Sequence, residues 1–309
     1  MATHSDLNGK VVVITGASSG FGRGAAVEFA NAGAQVVLAA RRGEALDTVA
    51  RECETAGGTA IPVSVDVSSE RDVEQLAETA ISQCGRIDVW INNAGVGALG
   101  RFEDIPLDVH EQTIKTDLLG TLYGSYFAYR QFLKQGGGTL INIASELGKT
   151  SVPYYTSYTA AKHGIVGLSD SLRQEVKQNH IDGVHICTIL PTAHDTPFFD
   201  HAANYTGHEV EPPKPLHDPQ NVIDAIVDVA RDPEDERIVG GDGVLKVMMA
   251  NLMPGMTEKA EAKVMHETQF EKAPPGPNSP GAVERPEAKG TAVDMNRRKQ
   301  RKSSKSAKE

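Results

Sequence analysis

The sequence predicts an α/β fold in which a doubly wound, mostly parallel sheet of seven strands carries helices on both faces. Short apolar, β-branched runs without polar alternation, such as Lys10 to Ile14, fit strands that are buried on both faces. Helix-like segments separate these runs along most of the chain. Glycines such as Gly33 stand where those segments stop, as C′ glycines do at helix ends.

The predicted elements follow one another in a regular order. The strands span residues 10–14, 36–38, 60–65, 87–91, 139–143, 184–190 and 237–239. The helices span residues 23–32, 44–56, 70–83, 109–134, 157–179 and 220–230. We expect Ser68 or Ser69 to cap the third helix, because a hydroxyl oxygen accepts hydrogen bonds from the free N–H groups of a first turn.

Two segments depart from this alternation and set the predicted domain boundaries. Residues 192–219 hold five prolines and no clear period, which is typical of a lid or a substrate-binding loop. We expect residues 1–250 to form the main domain, with this loop inside it, and residues 251–272 to form a helical C-terminal extension. Residues 273–309 are rich in Pro, Gly, Ser, Lys and Arg, so we expect them to be disordered and basic at the end.

The charge is unevenly distributed along the chain. The formal net charge is −10, but residues 296–309 hold seven basic residues and one acidic residue, so the remaining residues carry −16. An acidic body of this kind argues against a nucleic-acid-binding protein. The basic end could contact RNA or an anionic lipid surface, and we favour a solubilising role for it.

Compartment signals favour a cytoplasmic protein. The three cysteines (Cys53, Cys84 and Cys187) are odd in number and widely separated, which favours a reducing compartment over a disulfide framework. No apolar run approaches the roughly 18 residues of a transmembrane helix. The first residues also lack the basic and apolar regions of a signal peptide, so we do not expect secretion.

A glycine-rich turn follows the first predicted strand and opens the first helix. It has the pattern GxxxGxG over Gly16 to Gly22, with Ser18, Ser19 and Phe21 between the glycines. Glycines let the backbone approach a pyrophosphate, and the helix N-terminus supplies free N–H groups. A plain tight turn is the alternative, but the strand, turn, helix and second strand together favour phosphate binding.

The next two strand ends carry charged residues. Arg41 and Arg42 stand where dinucleotide folds that bind NAD usually have an acidic residue. An arginine there can pair with a 2′-phosphate, which favours NADP(H); solvated surface charges are the alternative. Asp66, followed by Val67, could accept a hydrogen bond from an adenine amino group, unless it caps the following helix.

Residues with catalytic potential follow the later strands. Ser145 comes directly after the fifth strand, and Tyr158 and Lys162 lie one turn apart on one helix face. A tyrosine has a reference pKa of ~10, and a neighbouring ammonium favours its phenolate form, so we expect Lys162 to lower the pKa of Tyr158. Each residue alone is a weak signal, since such pairs arise by chance.

In their order and spacing, these motifs together resemble the short-chain dehydrogenase/reductase family in its compact single-domain form, over about residues 8–244. The motifs are Thr15-Gly16-x3-Gly20-x-Gly22, Asp66, Asn92-Asn93-Ala94-Gly95, Ser145, Tyr158-x3-Lys162, and Pro191 with Thr196. The resemblance implies a Rossmann-type fold. It also implies an NADP(H)-dependent oxidoreductase that interconverts a small-molecule carbonyl and an alcohol by hydride transfer.

The resemblance also implies residue roles. Tyr158 would act as the general acid or base, Lys162 would lower its pKa and hold the nicotinamide ribose, and Ser145 would orient the substrate oxygen. Asn93 would stabilise the strand beside the coenzyme, and Thr196 would lie by the carboxamide. The implied coenzyme-binding residues are Gly16, Ser18, Ser19, Gly20, Phe21, Gly22, Arg41, Asp66, Val67, Asn93, Ala94, Gly95, Tyr158, Lys162, Pro191 and Thr196.

Two residues depart from the family pattern. Asp117 stands where the family usually has an asparagine that completes a proton relay, and a carboxylate lacks the amide donors. Its place among the catalytic residues is therefore an open question. Pro191-Thr192 replaces the usual Pro-Gly, which could change how the chain enters the following loop.

Other features give weaker indications. Phe198, with Phe199, could line an apolar substrate pocket or only anchor the loop, and we favour the pocket. The histidines of residues 192–219 are too dispersed for a metal site, so we expect none. The apolar residues of the two long helices favour a homodimer or homotetramer, as the family forms.

Two rival functions stay open at this point. The first is a catalytically weak nucleotide-binding protein with a regulatory or scaffold role, which Asp117 favours. The second is a nucleotide-sugar epimerase or dehydratase, which shares the Tyr-x3-Lys pair but normally has a GxxGxxG turn and a larger C-terminal domain.

Overall fold

The computed structural model describes residues 6–241, 243–287 and 290–297. The main strands are Val11–Thr15 (β1), Gln35–Ala40 (β2), Thr59–Ser64 (β3), Val89–Asn92 (β4), Gly138–Ile143 (β6), Val184–Pro191 (β7) and Glu236–Val239 (β9); the short strands Ala98–Gly100 (β5) and Ala203–Tyr205 (β8) lie apart from them. The main strands form one sheet in the order β3-β2-β1-β4-β6-β7-β9, and every neighbouring pair is parallel. The predicted seven-stranded, doubly wound sheet is confirmed.

Helices cover both faces of this sheet. They span Gly20–Asn31 (α1), Gly43–Thr55 (α2), Glu70–Cys84 (α3), Leu107–Ile114 (α4), Gly120–Gln135 (α5), Thr156–Gln178 (α6), Phe198–His201 (α7), Pro219–Arg231 (α8), Gly243–Leu252 (α9) and Pro254–His266 (α10). Alternate side chains of β1 point to opposite faces of the sheet. Val12 and Ile14 pack with α1, α2 and α8 on one face, whereas Val13 packs with α3 and α5 on the other. A strand buried on both faces explains why the first apolar run shows no polar alternation.

The third helix begins as the sequence predicts. The hydroxyl oxygen of Ser69 accepts a hydrogen bond of 3.3 Å from the backbone N–H of Asp72, so Ser69 is the cap. Asp66 instead accepts two hydrogen bonds from Ser68, one from its backbone N–H at 2.9 Å and one from its hydroxyl at 2.7 Å. Asp66 therefore orders the turn before α3 and is not the residue that caps it.

The long helix predicted over residues 109–134 is interrupted near its middle. A π-helical turn, Lys115–Leu119, lies between α4 and α5. Such turns insert an extra residue into a helix and are frequent at functional sites. Asp117 lies at the centre of this turn.

The segment from 192 to 219 is not structureless. It contains α7 and β8, and β8 pairs in parallel with β5, a strand about a hundred residues earlier in the chain. Both strands are only three residues long, so neither has a recognisable alternation. This small second sheet was missed by the sequence analysis.

The C-terminal part of the chain packs beside the sheet's carboxyl edge. A π-helical turn, Glu267–Glu271, continues α10. Beyond it, the backbone N–H of Asn204 donates to Ser279 and that of Glu209 donates to Pro274, each at 2.8 Å. The sequence predicts disorder for residues 273–309, of which residues 288–289 and 298–309 lie outside the described residues. None of the helices in the described part combines the length and the apolar character that crossing a bilayer requires.

Candidate active site

One large cavity lies along the carboxyl ends of the parallel strands. Its volume is about 620 Å³, and it runs from Arg41 and Asp66 at one end to Tyr158 and Met265 at the other. In a doubly wound sheet, this edge at the reversal of strand order is where ligands bind. The reversal here falls between β1 and β4, beneath the middle of the cavity.

The glycine-rich turn after β1 forms the floor of the cavity at its centre. Gly16 has a φ of +67°, and a Cβ atom on it would lie 2.8 Å from the Cα of Ala94. The amide Nδ2 of Asn93 donates to the carbonyl oxygens of Thr15 at 2.9 Å and Gly16 at 3.3 Å. Asn93 therefore fixes the turn against the end of β4.

The first turn of α1 faces the same part of the cavity. Ser18, Ser19, Gly20 and Phe21 all line it, and the side chain of Ser19 makes no capping hydrogen bond at the start of α1. Backbone N–H groups at a helix start carry partial positive charge and suit phosphate oxygens. Gly22 does not line the cavity; a Cβ there would lie 2.5 Å from the carbonyl oxygen of Gly16.

Two guanidinium groups stand at the outer end of the cavity. Arg42 donates to the hydroxyl oxygen of Ser18 at 3.3 Å. Burial lowers the pKa of the Arg41 guanidinium, and the nearby Asp66 carboxylate opposes this effect. The cavity therefore begins between two cationic side chains and one carboxylate.

Tyr158 and Lys162 lie at the inner end, on the first turns of α6. The Lys162 Nζ atom lies 5.3 Å from the centroid of the Tyr158 ring and donates to the carbonyl oxygen of Ile143 at 3.1 Å. Ser145 follows β6, and its hydroxyl accepts a hydrogen bond of 3.1 Å from the backbone N–H of Leu147. The carboxyl end of β6 and the start of α6 thus bring the three side chains to one end of the cavity.

The pKa of Tyr158 is raised in this structure, so the net shift runs opposite to the lowering that the sequence analysis expects from Lys162. Burial is the largest cause and the Asp117 carboxylate is the second, while a hydrogen bond with Ser145 acts in the opposite direction. The physical reason is that burial disfavours the charged phenolate, and the negative charge of Asp117 disfavours it further.

Asp117 does not line the cavity but lies directly behind it. Its side chain is fully buried, and Oδ1 accepts a hydrogen bond of 2.8 Å from the backbone N–H of Val96. Oδ2 lies 3.6 Å from the Nζ atom of Lys162 and has no hydrogen-bond partner among the described residues. Burial raises the pKa of Asp117 to about 6, although Lys162 and the Val96 N–H lower it.

Apolar side chains enclose the space beyond Tyr158. The ring of Phe198 lies 5.3 Å from that of Tyr158, measured between centroids. Tyr155 is buried, and its hydroxyl has no hydrogen-bond partner within the described residues. Val264 and Met265 of α10 complete this end of the cavity.

The C-terminal helices are walls that the sequence analysis did not assign to the site. Tyr154, which has a φ of +71°, forms a hydrogen bond of 2.8 Å with Nδ1 of His266. Lys246 on α9 forms an ion pair of 3.5 Å with Glu146, the residue after Ser145. No local motif predicts these contacts, because the partners lie about a hundred residues apart in the chain. The apolar residues of α9 and α10 were the sequence feature that could have indicated packing against the site.

The structure brings most of the predicted site residues together. Those that line the cavity are Gly16, Ser18, Ser19, Gly20, Phe21, Arg41, Asp66, Val67, Asn93, Ala94, Gly95, Ser145, Tyr158, Lys162, Pro191, Thr196 and Phe198. Gly22 and Asp117 support the cavity from behind.

Comparison with known proteins identifies relatives over most of the chain. The sequence pattern of the family described as short chain dehydrogenase matches residues 10–205. The oxidoreductase YxnA of Bacillus subtilis, named as uncharacterized, is 34% identical over 279 residues, which are 90% of this chain and 78% of that protein. An Arabidopsis thaliana protein named 11-beta-hydroxysteroid dehydrogenase-like 4A is 36% identical over 173 residues, covering 55% of this chain and 57% of its own.

Solved structures show the same architecture. The crystal structure of a short-chain type dehydrogenase/reductase from Mycobacterium marinum superimposes with a TM-score of 0.66 at 26% sequence identity. The match covers 77% of this chain and 96% of the other.

Proposed function

This chain belongs to the short-chain dehydrogenase/reductase family and is an oxidoreductase that uses a nicotinamide coenzyme; on that premise we propose that it interconverts a carbonyl and an alcohol with NADP(H), using Tyr158 as the general acid or base. The observation that carries this proposal is the convergence of Ser145, Tyr158 and Lys162 at one end of the cavity whose centre is the glycine-rich turn.

The residues present fit a nicotinamide coenzyme. The glycine turn is closed by Asn93 and leaves no room for a Cβ at Gly16 or Gly22. Ser18 and Ser19 supply donors of the kind that hold a pyrophosphate. Asn93, Ala94 and Gly95 line the same cavity as the glycine turn and Lys162. A bound nicotinamide would supply or accept the hydride.

The positive charges that follow β2 support a preference for the 2′-phosphorylated coenzyme. Arg41 and Arg42 follow β2, and Arg42 reaches Ser18 in the glycine turn. An arginine at this position accommodates a 2′-phosphate, whereas an acidic residue would favour the free ribose hydroxyl. No acidic residue occupies either position.

The remaining chemistry belongs to the chain's own side chains. We assign to Ser145 a hydrogen bond with the substrate oxygen, next to the Tyr158 hydroxyl. In reduction, the Tyr158 phenol gives its proton to that oxygen; in oxidation, the phenolate takes it. Lys162, held by Ile143 and Asp117, stands beside the ring and supplies the positive charge that favours the phenolate. Asp117 weakens that effect.

The apolar walls indicate the kind of substrate. Phe198, Val264 and Met265 line the space beyond Tyr158, so burial there favours a ketone or alcohol with a sizeable apolar body. Tyr155, whose hydroxyl has no partner in the described part of the chain, is placed to form one hydrogen bond with a polar group on that body.

Oxidation of NADPH across a panel of steroid ketones, acyl ketones, sugars and quinones tests the proposal. We expect turnover with at least one apolar ketone, and turnover lower by a factor of roughly 100–10,000 in the Tyr158→Phe variant. Tight coenzyme binding without turnover on any carbonyl would instead favour the catalytically weak, regulatory alternative.

We further propose a homodimer or homotetramer that pairs through α5. Leu122, Tyr126 and Leu133 on this helix are 41–52% exposed. Such a row of exposed apolar side chains is typical of a protein interface. Light scattering on the purified protein would measure the mass, and a monomer at micromolar concentration would contradict the proposal.

A further inference from the structure

The described residues 282–287 and 290–297, here named the C-terminal strap, cross the outer face of the coenzyme cavity. They lie far from the cavity in sequence, more than 240 residues after Arg41. Their contacts with the body fall at three places, and each place belongs to the proposed coenzyme site or borders it.

The first place is the arginine pair at the outer end. Arg41 donates to the carbonyl oxygens of Val283 at 3.1 Å and Glu284 at 3.2 Å, and also to that of Ala282. Arg42 donates to the carbonyl oxygen of Glu287 at 2.7 Å. Each guanidinium carries five N–H donors, so it can hold the strap and still face the cavity.

The second place is the start of α1. The backbone N–H of Gly20 donates to the carbonyl oxygen of Ala292 at 3.0 Å. Arg23 donates to the carbonyl oxygen of Thr291 at 2.7 Å. The strap therefore passes directly over the helix end that we assign to the pyrophosphate.

The third place is the segment after β7. The backbone N–H of Met295 donates to the carbonyl oxygen of Asp195 at 3.0 Å. Arg297 forms ion pairs with Asp195, at 3.2 Å, and with Asp200. Asp195 is fully buried, which makes this pair less screened by solvent than a surface pair.

The strap roofs the cavity and does not fill it. Ala282, Pro286 and Glu287 are among the residues that line the cavity of about 620 Å³. A space of this size lies within the range of small-molecule sites. The floor of the space comes from the sheet edge and the glycine turn, and part of its roof comes from the strap.

We propose that the C-terminal strap is a wall of the coenzyme site and that it must be released for the coenzyme to enter or leave. This inference rests on the proposed function, because it assigns the covered cavity to a nicotinamide coenzyme. Its consequence is slow coenzyme exchange, with Arg297 as the anchor that keeps the strap closed.

Stopped-flow displacement of NADPH from the full chain tests the inference, with coenzyme fluorescence as the signal. Arg297→Gln removes the anchor, and Met295→Pro removes the N–H that donates to Asp195. Arg51→Gln is the matched control: it makes the same charge change on an exposed residue of α2 that lies outside the strap and does not line the cavity. We expect NADPH to dissociate at least 10-fold faster from each of the first two variants and at the wild-type rate from the control.

Other outcomes separate the two proposals. Wild-type dissociation rates in both variants would show that the strap is no barrier, and tighter NADPH binding in them would show that it competes with the coenzyme; either result overturns the inference and leaves the proposed function standing. Failure of the wild-type chain to bind NADPH or NADH would overturn the proposed function and the inference with it.

Discussion

The carboxylate of Asp117 and the ammonium of Lys162 face each other inside the protein, with 3.6 Å between Oδ2 and Nζ. Both side chains are at least 95% buried, so solvent screens their interaction weakly. The pair connects the π-helical turn of the long helix to the first turns of α6. It places a negative charge behind the residue that we assign to proton transfer.

The first prediction concerns stability against pH. Burial raises the pKa of Asp117 from 3.8 to about 6, so the folded protein binds more protons than the unfolded chain between these values. The stabilising contribution of Asp117 to the free energy of unfolding is therefore fully present below pH 3.8 and is lost as the pH rises to about 6. At 1.36 kcal/mol per pKa unit, the loss is on the order of 3 kcal/mol.

Urea unfolding of the wild type and of Asp117→Asn at several pH values between 4 and 7 measures this contribution. We expect the stability of the variant relative to wild type to rise across this window, because asparagine does not ionise. The exposed substitution Asp104→Asn is the control and should leave the pH dependence unchanged. A constant difference between Asp117→Asn and wild type would contradict the prediction.

The second prediction concerns activity against pH. The Asp117 charge raises the pKa of Tyr158, so its removal should let the phenolate form at lower pH. The pH profile of kcat/KM for alcohol oxidation should therefore move to lower pH in Asp117→Asn and stay in place in Asp104→Asn. Superimposable curves for wild type and Asp117→Asn would mean that Asp117 does not influence proton transfer.

The third prediction concerns Tyr158 itself. Tyr158→Phe removes the proton donor and keeps the ring that packs against Phe198. We expect kcat to fall by a factor of roughly 100–10,000, the usual contribution of general acid–base catalysis, while the Kd for NADPH changes less than about threefold. Tyr129→Phe, at a partly buried position of α5 that does not line the cavity, serves as a control for loss of a phenol elsewhere. Near-normal kcat in Tyr158→Phe would end the proposed mechanism.

The fourth prediction concerns coenzyme choice. Arg41→Asp replaces a phosphate-pairing cation with an anion, so it should weaken NADPH binding far more than NADH binding. A charge-assisted hydrogen bond contributes about 1.5–3 kcal/mol, so the ratio of the two Kd values should change at least about 10-fold. The ratio also cancels any loosening of the strap that affects both coenzymes. Arg51→Asp, an exposed residue of α2, is the control; an unchanged ratio in Arg41→Asp would contradict the NADP(H) assignment.

Much of the fold could be predicted from local sequence. The seven main strands and the longer helices between them were located to within a few residues, because most of them carry their own apolar run and some, such as α3 and α5, end at a glycine. Ser69 shows this directly: the sequence predicts a cap at Ser68 or Ser69, and the structure contains it at Ser69.

Features that depend on distant partners were not predictable in the same way. The strands β5 and β8 have three residues each, and only their pairing makes them strands. The contact of Tyr154 with His266 and those of Arg41 with residues 282–284 join segments that share no local pattern. The walls and the roof of the cavity come largely from such contacts.

The amino-acid sequence alone determined the family resemblance, the parallel sheet and the spacing of Tyr158 and Lys162, since these follow from neighbouring residues within single elements. Tertiary structure alone decided the electrostatic environment of that pair. Asp117 is 45 positions from Lys162 in the chain, and its effect on the phenol depends on a 3.6 Å approach and on burial. No local motif encodes the distance between side chains on separate elements or the extent to which those side chains are buried.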